Sequence, residues 1–195
     1  VNPAVRPSNR WVQLAIEHGA KVTSEIEILL GEVDAHVVAV TGSNGKSTTA
    51  AMLEAILRVG GDRTWLGGNL GGSLLPQLEC IGPEDWLVLE LSSFQLHRLS
   101  NEIRPFDVSV VTSYSPNHLD WHPDVEHYIE AKQRIIELTA PNGAVVLNHE
   151  DYEVRTWNNL LQARRLISPA TDSEIPRLPL PGAHNRMNAR LAAAA

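Results

Sequence analysis

The chain has 195 residues, 23 acidic against 16 basic, a formal charge of −7, and a hydrophobic fraction of 43%. That length suits one large domain, or a domain with part of another, and the apolar content excludes a disordered class. An acidic balance without a Lys/Arg run argues against a nucleic-acid partner, and no apolar run approaches the roughly 18 residues of a membrane span. The single cysteine, Cys80, excludes a disulfide framework and any Cys-cluster zinc site. VNPAVRPSNR lacks the basic-then-apolar layout of a secretory signal. Together these point to a soluble cytoplasmic protein. Only three of the basic residues are lysines: Lys21, Lys46 and Lys132.

In chain order, residues 11–18 read as a short helix closed by Gly19. The first thirty or so residues otherwise fit no repeat and read as an entry segment. HVVAV at 36–40 is a continuous apolar run of strand length, and 47–59 follows as a helix. Further buried-strand runs are WLVLE at 86–90, VSVVT at 108–112 and AVVL at 144–147, the last after a Pro141-Asn142-Gly143 turn. A helix is expected over 125–138, and 151–181 reads as a weak strand with long connections. Apolar runs without alternation, separated by helices, predict an α/β fold: a P-loop-type, mostly parallel sheet with helices on both faces.

Between the first strand and its helix lies Thr41-Gly42-Ser43-Asn44-Gly45-Lys46-Ser47-Thr48. Gly42 and Gly45 allow backbone angles at which successive N–H groups point at phosphate oxygens, and the helix adds its positive end. Lys46 supplies a point charge for the outer phosphates, and the Ser47 hydroxyl is placed for Mg²⁺. The general nucleotide loop has a glycine two residues before Gly42, where this chain has Val40, so this is a shorter G-x-x-G-K-S form. Nucleoside triphosphate binding is the expectation. Ligands in parallel sheets gather beyond the carboxyl ends of strands. WLVLE ends there in Glu90, either a Mg²⁺ ligand or a strand-end residue satisfied by a helix N-terminus. His118 and Asp120 follow the third run in SYSPNHLD, and GGNLGG at 67–72 is either a flexible turn or a place where backbone approaches a ligand. On its own helix, Lys132 reads as a solvated lysine.

TGSNGKST, GGNLGG, LELSSFQL at 89–96, SPNHLD with YIEAKQRI, and GAHNRMNA at 182–189, in that order, resemble the Mur ligases. These enzymes add amino acids to the uridine-nucleotide-linked precursor of bacterial peptidoglycan. Within that family, ELSSFQL points to the members that join D-glutamate to UDP-MurNAc-L-Ala. The resemblance implies ATP and two Mg²⁺ ions as cofactors. Lys46 would hold the β- and γ-phosphates, Ser47 and Glu90 would share one Mg²⁺, and His118 would be a ligand of a second ion shared with substrate. Lys132 would be carbamylated by CO₂, which a primary amine allows and an arginine does not. Asn69 and Ser92 would contact the muramoyl-alanine part of the substrate, and Asn185 and Asn188 the adenine. The family usually has Ser-Pro-Gly where this chain has Asn2-Pro3-Ala4, and often Arg where it has Trp121. The resemblance further implies an organisation of 1–33 as the end of a preceding domain with its linker, and 34–195 as the central ATP-binding domain. A following ligase domain that holds the amino acid would lie outside the chain, leaving it able to bind ATP as a monomer but incomplete for catalysis. A folylpolyglutamate synthase-like ligase and a stand-alone nucleotide-binding module are the alternatives.

Overall fold

The computed structural model describes residues 1–195. Its centre is a six-stranded sheet in the order β2-β3-β1-β4-β5-β6, parallel throughout. The strands are β1 (His36–Thr41), β2 (Thr64–Gly68), β3 (Trp86–Glu90), β4 (Phe106–Val111), β5 (Thr139–Leu147) and β6 (Arg165–Ile167). The helices are α1 (Arg10–Glu17), α2 (Glu25–Glu32), α3 (Lys46–Gly60), α4 (Ser93–Arg98), α5 (Val125–Glu137), α6 (Tyr152–Thr156) and α7 (Ala183–Ala194).

The lack of polar alternation has its reason in the packing. Val37 and Ala39 of β1, with Leu87 and Leu89 of β3, face a core closed by Ile26, Leu29 and Leu30 of α2 and Ile135 and Ile136 of α5. Val38, Val40 and Val88 face the other way, onto Ala50 and Leu53 of α3 and Met187 and Leu191 of α7. Every central-strand position is therefore covered, as in a sheet wrapped on both faces.

Four local readings change. Residues 1–33 hold two helices, and α2 is part of the main core rather than an entry segment, its start capped by Ser24 accepting from the Glu27 N–H. Gly67 and Gly68 belong to the edge strand β2, not to a loop. Pro141-Asn142-Gly143 lies inside β5 as an irregularity: two steps along β4, from Phe106 to Val108, face five along β5, from Thr139 to Ala144. Residues 151–181, expected as a weak strand with long connections, hold α6 as well as the three-residue β6. ELSSFQL, which has no expected element, forms α4, whose six residues are too few for a visible helical period.

Register aligns the chemistry. Gly68, Glu90, Val40 and Val110 lie side by side at the ends of β2, β3, β1 and β4. The loops at 41–45, 69–72 and 112–118 thus leave the same edge of the sheet.

Candidate functional site

Five helices begin with a side-chain cap: Asn9, Ser24, Ser92, Asp124 and Asp151. α3 does not. Its N-cap is Gly45, at φ 85° and without a side-chain bond, so the amides of its first turn face outward unclaimed by the chain. A helix start of this kind accepts an anion. Both loop glycines are spatially enforced. A Cβ on Gly42 (φ 148°) would strike Thr112 and Ser113, and one on Gly45 would strike the amide of Asn188.

The loop is held from behind by residues that sequence reading missed. The Ser43 N–H donates to the Ser113 carbonyl at 2.8 Å, and the Asn44 N–H to Ser113 Oγ at 3.0 Å. These two amides are therefore spent on the protein, and the inward-pointing set shifts to the helix start. Thr112 Oγ1 donates to the Asn44 carbonyl at 2.6 Å, and Asn148 Nδ2 to the Thr112 carbonyl at 2.7 Å. Ser43 Oγ lies 2.9 Å from the Tyr128 hydroxyl. Tyr128 was visible in principle, because it precedes Lys132 by one helical turn on the same face. Thr41 is buried, and its hydroxyl donates to the Leu91 carbonyl at 2.7 Å, joining the ends of β1 and β3 rather than facing the mouth of the loop.

Lys46, Glu90 and Lys132 come together. Glu90 is 1% exposed. Its Oε1 accepts from Asn69 Nδ2 at 2.9 Å, while Oε2 is buried without a partner. Lys46 Nζ donates to the Ser43 carbonyl at 3.0 Å; burial lowers its pKa, and the Glu90 charge opposes that. Lys132 corrects the solvated reading: it is 2% exposed and its Nζ donates to the Gly42 carbonyl at 2.7 Å, 4.9 Å from the centre of the Tyr128 ring. Burial first, then the Lys46 charge, push it down to about 7, with Glu90 acting the other way. A buried carboxylate oxygen with no donor, its charge felt by two amines that themselves bond the loop carbonyls, fits a cation-bridged anion site.

The other expected residues are placed less closely. Ser47 is exposed and Thr48 half-buried in the first turn of α3. Ser92 spends its hydroxyl in a capping box, accepting from the Gln95 N–H while Gln95 Oε1 accepts from the Ser92 N–H. His118 is exposed at φ 55°, its ring against Phe94 at 4.9 Å and free of hydrogen bonds. No cluster of three His, Cys, Asp or Glu side chains is poised for a metal. Asn188 is buried, and its Nδ2 reaches Asn185 Oδ1 at 3.5 Å. With Asn44, Gly45, Thr112, Ser113 and His184 it lines a cavity of about 250 Å³ beside the loop. A wider groove of about 430 Å³ opens elsewhere, between Arg6–Ser8 and the Leu119–Pro123 turn. No helix is long and apolar enough to cross a membrane.

Residues 40–174 match the family model of the Mur ligase middle domain. The UDP-N-acetylmuramoylalanine–D-glutamate ligase of Clostridium beijerinckii is 42% identical over 149 residues, covering 76% of this chain and 32% of that protein. The enzyme of the same name from Clostridium tetani is 37% identical over 164 residues, 84% of this chain and 35% of that one. The chain thus spans about a third of the length of the curated relatives it matches. Among solved structures, MurF ligase from Thermotoga maritima in complex with ADP aligns at TM-score 0.58 and 27% identity, over 76% of this chain and 37% of that one. The UDP-N-acetylmuramate:L-alanyl-gamma-D-glutamyl-meso-diaminopimelate ligase of Neisseria meningitides aligns at TM-score 0.68 over 96% of this chain and 69% of its own; at 19% identity it shares the fold. On the family match and on this sheet, loop and helix order, the chain belongs to the Mur ligase family and carries its middle domain.

Proposed function

We propose that this chain carries the ATP site of a ligase that joins D-glutamate to UDP-MurNAc-L-Ala in peptidoglycan precursor synthesis. One observation carries the reading: the buried, unpartnered Glu90 oxygen belongs to a carboxylate whose charge acts on both Lys46, the first residue of an uncapped helix, and the buried Lys132. Its relatives named for that reaction, at 37–42% identity, supply the substrates.

A carboxylate does not acylate an amine at neutral pH, because oxide is a poor leaving group. Transfer of the γ-phosphoryl group to the carboxylate gives an acyl phosphate; the amine then attacks the carbonyl carbon, and phosphate leaves. The chain's part is positioning and charge neutralisation. The first-turn amides of α3 and Lys46 receive the β- and γ-phosphates. Asn188, which abuts Gly45, and its neighbour Asn185 receive the base. Ser47 and Glu90 would hold one Mg²⁺, and His118 with Lys132 a second, which together would offset repulsion between the phosphoryl group and the incoming carboxylate. Lys132 would hold that place as a carbamate: its neutral amine attacks the CO₂ carbon, an N–C bond forms while one C–O π pair moves to oxygen, and the amine proton passes to water. Burial keeps a share of the amine neutral near pH 7, the condition for that attack. Asn69 orients Glu90 and, with Ser92, would contact the acid substrate. Residues 34–195, with α2 packed into their core, form this ATP-binding unit as a monomer in the cytoplasm, and the residues before α2 would lead into it.

The test is calorimetric titration of the 195-residue chain with Mg·ATP, together with ADP release by a protein that joins this chain to the amino-acid-holding domain, in the presence of UDP-MurNAc-L-Ala and D-glutamate or of a folate and glutamate. Binding that Lys46→Ala removes, with release only in the first mixture, is expected of the ligase. Binding without release makes the chain a nucleotide-binding module; no binding refutes the reading.

A further inference from the structure

His122 is buried, at 1% exposure, and the proposed chemistry gives it no task. An imidazole removed from water needs partners for both ring nitrogens. Here Nε2 lies 2.9 Å from Ser93 Oγ and Nδ1 lies 2.7 Å from His127 Nδ1. A neutral ring satisfies both contacts: one nitrogen donates, the other accepts, and each partner takes the complementary role.

The partners sit on different elements. Ser93 is the first residue of α4 and follows Glu90 by three positions; His127 lies in the first turn of α5, five residues before Lys132. The His122 backbone N–H donates to the His118 carbonyl at 2.9 Å, closing the turn in which His118 takes its positive φ. The His122 ring stacks on Phe94, 5.6 Å between centres at 25°, and Phe94 in turn carries the His118 ring. On its other flank, His122 meets the edge of Tyr128 at 5.2 Å, the ring over which Lys132 Nζ lies.

We propose that His122 is a positioning residue: it pins the starts of α4 and α5 to the turn that presents His118, so that His118, Glu90 and Lys132 keep one arrangement. The inference rests on the roles given above to His118 and Lys132. It differs from a simple core role in what it moves. A core histidine sets stability alone, whereas a positioning histidine sets where the His118 ring points.

The test compares His122→Phe, which keeps a ring and removes both nitrogens, with Ser93→Ala and with His122→Asn. In the 195-residue chain, the proton–carbon NMR signals of the His118 ring report its seat on Phe94 through ring-current shifts. The Phe variant is expected to move those signals toward an unstructured histidine, Ser93→Ala to move them the same way by less, and the Asn variant to restore part. Mg·ATP affinity should stay within about twofold, since the α3 start is untouched. In the ligation assay kcat should fall about 100-fold with KM for ATP unchanged, the scale of a misplacement near 1 Å. A folded Phe variant with unmoved His118 signals and unchanged kcat overturns the proposal. Should that variant not fold, Ser93→Ala decides by the same signals: moved supports, unmoved overturns. Absence of substrate-dependent ADP release from a wild-type protein that also carries the amino-acid-holding domain is a failure of the ligase reading, and the His118 signals still decide this one.

Discussion

Replacing Lys132 with methionine should make the protein more stable near neutral pH and should change how stability depends on pH. In the folded chain the amine titrates near 7 instead of its ordinary 10.5, chiefly through burial. Below about pH 7 both folded and unfolded chains carry the proton, and the folded state bears the full cost of a buried ammonium. Between about 7 and 10.5 the unfolded chain binds a proton that the folded chain has lost, so stability rises with pH, by about 1.4 kcal/mol per pH unit. Integrated over that interval, the wild-type chain is about 4 kcal/mol less stable near pH 7 than the same fold with a neutral amine. The variant lacks the titration and loses only the bond to the Gly42 carbonyl, a cost of about 1 kcal/mol that does not vary with pH. Urea unfolding of both proteins, followed by tryptophan fluorescence in CO₂-free buffer, measures the difference. Wild type minus variant should climb by about 1.4 kcal/mol per unit from about pH 7.5 to 9.5. A difference flat with pH would refute the argument, because the ammonium would then be as well solvated inside as outside.

Lys46→Ala should leave the melting temperature nearly unchanged while weakening Mg·ATP binding about 100-fold, measured by calorimetry, since the side chain is half-buried and its charge faces the phosphate position. Gly45→Ala forces a Cβ into the left-handed region and against Asn188; a loss of about 1–2 kcal/mol in urea unfolding is expected, with a larger loss in nucleotide affinity. Ser92→Ala removes the α4 cap, so unfolding should show a cost of about 1 kcal/mol even without substrate. A variant of full stability would leave its hydroxyl free for the substrate.

The central strands were legible because complete coverage turns them into uninterrupted Val, Leu and Ala runs, as in HVVAV and WLVLE. β2 was not, since at the sheet edge it is half-exposed and ends in Gly67-Gly68. α4 was hidden for a different reason: the resemblance makes Ser92 a substrate contact, but the structure uses it, with Gln95, to start a helix. At the site, the loop and Glu90 could be read from local pattern, whereas Asn185 and Asn188 come only with the family resemblance. The burial of Lys132 could not. It depends on β1 lying beside α5, and its own helix is amphipathic enough for a surface lysine. Thr112, Ser113 and Asn148 escaped for the same reason, since their partners lie across the sheet rather than along the chain.

The contact between α7 and α3 makes Asn188 abut Gly45 at the point where the nucleotide loop turns into its helix. Occupancy of the loop and the seating of α7 are therefore thermodynamically reciprocal: whatever free energy a nucleotide gains from a seated α7, the helix gains from the nucleotide. A force or partner acting on α7 alone would then be felt as a change in ATP affinity, with no residue of the loop altered.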